Sequence, residues 1–465
     1  MKTVQRIVSL SLLAGVAMAG LTSHAKADEL VALKAQLEAL QAQVDQLQSR
    51  PASAPLPEGA SWITFRRGTE ATADWNMGLV GDAMPTTSGM TIAITPSADL
   101  PAPIHEVTIS GYVKGDVIYD FDQDLGDFFS YTAIDGQEDQ DHVRLHARQS
   151  RFSIKSKSDT AIGQIRTLIE GDFLSGGSFG GTDFRLRHAW GEWDMTPNWT
   201  FGAGQTTRNF ASPFTGITTV DNNGPLGLIG STRAPQVRLT WHEGPQLFAV
   251  AIENPSDGQL INSFGQSSSN IPNFTARWQY ETEAGHQFLI SGLAANYHLD
   301  GDLDGPYGSD SKFGWGVQAA ANVVFTDFLT LTTSVMYGDG IGQYLFGATG
   351  AYVDAFGDIK TIEALGVFAG LIFDVTDTTQ FNVGWGWSDM DRNDVLDTGL
   401  NDENVEMMSL HANILWRPVD QLRLGWEVMW GQRERTAGID PAIPGSGGTV
   451  TDDAWRAQFG AWFYF

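Results

Sequence analysis

The chain has 465 residues, 18% charged and 11% aromatic, with 52 glycines, no cysteine and a formal charge of −27. Without cysteine there can be no disulfides, thiolate nucleophiles or Cys-ligated metals, and the redox state of the compartment leaves no mark. The acidic balance, with no clustered Lys/Arg patch, speaks against nucleic acid as a partner.

Residues 1–27 read as a secretory signal peptide: Lys2 and Arg6 at the start, an apolar centre from Ile7 to Leu21, and Ala25-Lys26-Ala27 as a small-x-small cleavage site. A membrane anchor is the alternative, but the run is short of the ~20 residues a spanning helix needs. No later apolar run approaches that length. An exported chain without one is either soluble or a barrel, because only helices and closed barrels satisfy their backbone groups in lipid.

Residues 28–50 form a heptad segment. Leu30, Leu33, Leu37, Leu40, Val44 and Leu47 make an a/d seam among good helix formers, and Arg50-Pro51 ends it. A lone helix of this length is marginal in water, so the segment predicts a short coiled coil between copies of the chain. A helix lying on a membrane is the other reading, but its polar face is Gln-rich rather than basic. Residues 51–105 are a linker or periplasmic segment with Pro-rich ends, and Trp62–Arg67 and Met90–Ile94 are short strand candidates within it.

From residue 106 the pattern changes to alternation with a period of two. Phe381/Val383/Trp385/Trp387 and Leu422/Leu424/Trp426/Val428/Trp430 are apolar on one parity and polar or small on the other. The C-terminal run Trp455, Ala457, Phe459, Ala461, Phe463, Phe465 repeats it up to the last residue. About sixteen such strands fit between 106 and 465. Tight turns such as Thr196-Pro197, Thr326-Asp327 and Thr376-Asp377 follow the even strands, and long Gly/Asp/Asn/Ser-rich loops such as 121–141, 209–233, 339–359 and 433–452 follow the odd ones. Trp199, Trp241, Phe325, Phe328 and Trp416 fall by the turns, and Tyr119, Trp315, Tyr337, Trp430 and Trp455 by the loops, as two interfacial girdles would. The fold class is therefore all-β: a transmembrane antiparallel β-barrel of about 16 strands, with a short N-terminal coiled-coil helix. Sixteen strands leave a water-filled lumen, where eight would be filled by side chains.

Val107–Lys114, Gln149-Ser150-Arg151-Phe152, Glu170-Gly171-Asp172-Phe173, Arg185–Trp193, Glu253-Asn254-Pro255 and Tyr337–Gly342 stand in an order that resembles the DcaP-type outer-membrane porins. The resemblance covers nearly the whole chain after the signal, and is weakest in 51–105 and the long loops. It implies a homotrimeric diffusion channel in the bacterial outer membrane, and for some members a leaning toward small dicarboxylates.

A channel needs no catalytic set and no cofactor or metal; its lumen charge and narrowest point decide what passes. Arg144 and Arg148 on strand 2, Arg166 on strand 3, Arg185 and Arg187 on strand 4, Arg238 on strand 6 and Arg277 on strand 8 sit opposite apolar neighbours. A charge facing mid-membrane lipid costs ~2–4 kcal/mol, so these seven are the expected pore-lining residues. The polar parity of strand 2 switches near 149–151, which predicts a bulge. The arginines form an anion-favouring ladder under an acidic rim, loop 121–141. In the opposing reading they pair with Glu170, Asp172, Glu253 and Glu427 and set only pore shape. The long loop near 207–233, with Pro213, Phe214 and Asp221, is the third external loop and is expected to constrict the lumen. Gly176–Gly180 fits G-x-S-x-G without the helix a nucleophile elbow needs. Asp300–Gly305 starts like a calcium loop, but Ser311 stands where the EF-hand Glu would be. The expected partners are other copies of the chain, outer-membrane lipid and lipopolysaccharide, and small anionic solutes, with both termini periplasmic. The competing functions are a surface or envelope-tethering protein without transport and a barrel-borne hydrolase.

Overall fold

In the computed structural model, residues 61–72, 84–96, 103–230, 232–255, 260–261, 266–267, 270–300, 308–354, 356–437 and 447–465 are described. The signal peptide, the heptad segment, residues 51–60, 73–83 and 97–102, and the Asp300–Gly305 loop therefore lie outside them, Asp300 itself excepted. No helix among the described residues is long and apolar enough to cross a membrane, which says nothing about crossing by strands.

Sixteen antiparallel strands form one sheet: β1 (His105–Asp120), β2 (His142–His146 and Arg151–Thr160), β3 (Gly163–Asp172), β4 (Arg185–Asp194), β5 (Trp199–Thr207), β6 (Arg233–Glu243), β7 (Gln246–Glu253), β8 (Asn273–Glu281), β9 (Gln287–Asp300), β10 (Asp310–Thr326), β11 (Leu329–Asp339), β12 (Glu363–Thr376), β13 (Thr379–Met390), β14 (Asn404–Val419), β15 (Leu422–Thr436) and β16 (Thr449–Tyr464). Each strand pairs with the next, and β16 returns to β1, with Tyr464 opposite Tyr112 and Arg456 opposite Asp120. The sheet therefore closes and leaves no edge in the barrel wall.

Alternation sets which side faces out. Phe248, Val250 and Ile252 of β7 are exposed, while Ala249 and Ala251 between them are buried. On β15, Trp426 and Val428 are exposed and Glu427 is buried. This pattern is the reverse of a water-soluble sandwich, because the apolar parity points away from the protein. In lipid each such side chain recovers the roughly 1.5–3 kcal/mol that burial of a large apolar residue is worth. The strand ends carry paired aromatics, including Trp315 with Tyr337 (5.7 Å) and Trp430 with Trp455 (6.4 Å) at the long-loop end.

The turns at the other end are tight. Between β6 and β7 only Gly244 and Pro245 intervene, and Gly244 takes φ +55°, the positive value that the first position of a two-residue hairpin of this hand demands. β2 breaks at 147–150 and resumes with its parity reversed: Val143 and Leu145 point outward before the break, Phe152 after it.

Two strands of the 51–105 segment, Trp62–Arg67 and Met90–Thr95, form a hairpin that pairs with β1, Met90 opposite Ile109 and Ile94 opposite His105. It occupies the edge of β1 below the point where β16 stops, at the reciprocal backbone bonds between Gly111 and Phe465.

Candidate functional site

The lumen is shaped by loops that fold into it. The segment 208–232 between β5 and β6, here called L3, runs along the inner wall and is bonded to it strand after strand. Arg277 of β8 donates to the Ala211 carbonyl (3.2 Å) and Ser291 of β9 to that of Phe210 (2.7 Å). Asn322 of β10 donates to the Phe214 carbonyl (2.8 Å), and the Gly216 N–H donates to Thr332 of β11 (3.0 Å). Asn413 of β14 donates to the Thr218 carbonyl (2.9 Å), and Glu427 of β15 accepts from the N–H groups of Val220 (2.5 Å) and Asp221 (2.9 Å). Such bonds satisfy backbone groups that a buried irregular segment would otherwise leave orphaned. Phe214 packs against Leu289 and Ala320 on the inner wall, which fixes the middle of the loop by apolar contact.

At its far end L3 meets a buried charged network. Arg456 of β16 binds Asp120 through Nε (2.6 Å) and Nη2 (2.9 Å) and Asp221 through Nη1 (3.2 Å). Asp221 also accepts from the N–H groups of Phe129 and Asn223, and so joins L3 to the loop 121–141 (L1). Glu427 bonds His411 (2.9 Å), whose other ring nitrogen meets the Tyr131 hydroxyl of L1 (2.6 Å). L1 therefore enters the barrel as well: Leu125, Phe129, Tyr131 and Ile134 pack with Leu226, Met407 and Met429. The loop 340–362 (L6) enters too, with Ile341, Tyr344 and Leu345 packed around Phe210 and Met336.

A cavity of about 270 Å³ lies between L3 and the wall. Its wall side carries Arg151, Arg185, Arg187, Arg233 and Arg423 with Tyr112 and Trp462; its L3 side carries Ser212, Thr215, Thr218, Thr219 and backbone. Asp221 is the one carboxylate among the lining residues, and its oxygens are held by Arg456 and the backbone N–H groups already named. Five guanidiniums thus share a polar cavity with hydroxyls and peptide groups, inside a cylinder whose outside is apolar.

A family profile described as a porin subfamily matches residues 107–454. The chain belongs to that porin subfamily. It is an outer-membrane porin channel. Its fold is similar to the outer membrane channel DcaP of Acinetobacter baumannii, with a TM-score of 0.65 and 23% identity over 78% of this chain and 97% of that one. It is also similar to an anion-selective porin from Comamonas acidovorans, with a TM-score of 0.52 and 10% identity over 78% of this chain and 100% of that one. No curated protein sequence matches the chain.

Within this porin the seven arginines expected along the lumen have separate positions. Arg185 and Arg187 line the cavity; Arg185 forks onto Asp172 (2.8 and 2.7 Å), and Arg187 reaches Glu170 (2.9 Å) and Asp172 (3.2 Å). The other five do not line it. Arg144 is held by Asp124 (2.6 Å) and Asp127 (3.1 Å) of L1. Arg148 sits in the break of β2, paired with Asp127 and donating to the carbonyls of Phe173 (3.1 Å) and Ser175 (2.8 Å), so it ties L1 to the loop after β3. Arg166 pairs with Glu192 (3.1 Å) and Asp194 (2.8 Å) near the short-turn end. Arg238 and Arg277 are buried beside the root of L3. The physical reason is common to the first three: parity puts a side chain on the inner face, but a neighbouring acid then captures it.

Of the loop residues, Pro213 and Phe214 lie in the wall-bound part of L3, and Asp221 lies in the network at its end. Arg151, Arg233 and Arg423 line the cavity without having been singled out. Arg151 carried a signal, since it follows the parity switch that predicts the bulge; Arg423 shares the polar parity of β15 with Gly425 and Glu427. The acidic rim is smaller than the composition of L1 implies. Asp120 and Asp127 are buried in ion pairs, and Glu138, Asp139 and Asp141 are the exposed acids. Ser178 of the G-x-S-x-G match donates to the carbonyls of Leu125 and Phe128 and fastens L1, which leaves it a structural part.

Proposed function

We propose that this porin is a passive diffusion channel that favours small hydrophilic anions, dicarboxylates among them, and that it works as a homotrimer. The observation that carries the reading is the wall of Arg151, Arg185, Arg187, Arg233 and Arg423 beside the narrow passage along L3. Guanidinium forks match carboxylates two oxygens at a time, and a planar fork stays charged at any physiological pH. Asp172 and Glu170 hold Arg185 and Arg187 in place without occupying every N–H, since each guanidinium has five. The heptad seam at 28–50 and the DcaP-type resemblance support the trimer.

The test is the reversal potential of the purified porin in a planar bilayer under a KCl gradient. Chloride preference is expected, and Arg185→Gln with Arg187→Gln should lower it severalfold while the pore stays open. Potassium preference in the unmodified porin would remove the anion reading. A protein that inserts but conducts nothing would instead favour a surface or tethering role.

A further inference from the structure

Among the described residues, Arg238 of β6 and Arg277 of β8 make no ion pair, although they are only 6% and 7% exposed. Arg238 donates to Gln236 Oε1 (3.1 and 2.8 Å) and to the Thr207 carbonyl (2.5 Å). Arg277 donates through Nη1 to the Ala211 carbonyl (3.2 Å), and its Nε has no acceptor. Every one of these acceptors is neutral. The nearby carboxylates are committed elsewhere: Glu192 to Arg166 (3.1 Å) and Trp190 (3.0 Å), Glu253 to Arg208 (3.1 Å), the Asn209 N–H (2.7 Å), Thr275 (2.9 Å) and Tyr344 (2.9 Å).

Between the two arginines the intervening strand carries only alanines on this face, and the Asn209 amide of L3 lies beside it, donating to the Ala249 carbonyl (3.2 Å). β7 separates their strands, with Ala251 opposite Arg238 and Ala249 opposite Arg277, both buried on the inner face. Strand spacing of about 4.8 Å and a rise of about 3.3 Å per residue put the two Cα atoms roughly 12 Å apart, close enough for two extended arginines to converge on one ligand. Trp190 walls one side, 5.5 Å from the Arg238 guanidinium; it lies across Gly202, where a Cβ would come within 2.2 Å of the ring. Two buried cations with only neutral partners are costly, and a bound anion is the partner that removes the cost.

We propose that Arg238 and Arg277 form a second anion station in the pore, a site for a small oxyanion of the phosphate class whose oxygens bridge both guanidiniums above Ala249 and Ala251. A tetrahedral oxyanion offers separate acceptor oxygens, so that each guanidinium can fork onto its own, whereas chloride is one smaller sphere that the two would have to share. The station rests on the anion-favouring reading for its supply of ligand, and its experiment separates the two.

Inorganic phosphate is added to single channels in KCl at constant ionic strength. In the unmodified porin it should reduce the current saturably. Arg238→Gln and Arg277→Gln should each raise the half-blocking concentration about tenfold or more, the loss of charge-assisted bonds. Arg185→Gln should change the chloride preference and leave the phosphate block within about twofold. Block that persists unchanged in both Arg238→Gln and Arg277→Gln, or no saturable block at all, overturns the station even in a chloride-selective pore. Potassium selectivity together with an Arg277-dependent block would sink the anion-favouring reading and keep the station. Should a variant fail to fold, thermal unfolding of the unmodified porin decides: phosphate should raise its midpoint saturably at constant ionic strength, and a rise that only grows in proportion to concentration, or none, overturns the proposal.

Discussion

Arg456 holds two loops with one side chain. It is fully buried, forks onto Asp120 and reaches Asp221, so that L1 and L3 share one counter-charge. Arg456→Leu would leave both carboxylates in place without it. Breaking a buried pair by removing one partner costs ~3–5 kcal/mol, so the variant should unfold at a clearly lower temperature in detergent. Its single-channel current should also become larger and noisier as L3 comes loose; an unaltered midpoint with a quiet current would show that the tether lies elsewhere. At this scale the sequence is readable only in part. Parity identifies the inner face at Arg185 and Arg187, and it does so equally at Arg144, Arg148 and Arg166. Which of them lines the cavity depends on acids such as Asp127 and Glu192, brought there by loop folding and by β4, and no spacing along the chain records that.

Among the elements, L3 follows from its length, its position as the third long connection and its few charges. Its path along β8 to β15 rests on wall residues that offer Asn, Ser, Thr and Glu at one height, among them Asn322, Thr332, Asn413 and Glu427. Shortening L3 by replacing 215–224 with a few Gly and Ser residues should raise single-channel conductance severalfold and weaken ion preference. Equal conductance would mean that the narrowest point lies elsewhere. L1 is less transparent. Its acids suggest a solvated rim, while Leu125, Phe129, Tyr131 and Ile134 spaced among them belong to an internal cluster with Met407 and Met429. Apolar residues inside an acidic loop are the signal that composition alone averages away. The break at 147–150 in β2 is legible for the opposite reason: an alternation that changes parity has to be interrupted somewhere.

The cylinder as a whole is the most legible level. Strict alternation over long strands, short turns against long loops, and aromatics at both ends are repeated enough times that no single irregularity obscures them. The molecule carries a formal charge of −27, yet its cavity is lined by arginines, so the proposed anion preference rests on charges close to the solute rather than on the net value. Salt should weaken it: the screening length falls from about 10 Å at 0.1 M to about 3 Å at 1 M, so the chloride-to-potassium permeability ratio should drop over that range. A ratio that holds constant would assign the preference to size or direct binding instead.

The closing seam has a consequence for how such a molecule comes into being. Asp116 of β1 finds its neighbour Gln458 342 residues further along, so the strand made first must wait for the strand made last. Until then one flank of β1 stands open to any stray partner, and only its lower part is covered, by the hairpin at Met90–Thr95. That hairpin also works as a doorstop. A late-arriving β16 that slides two residues too far meets an occupied edge beyond Gly111, and the correct alignment is where it comes to rest.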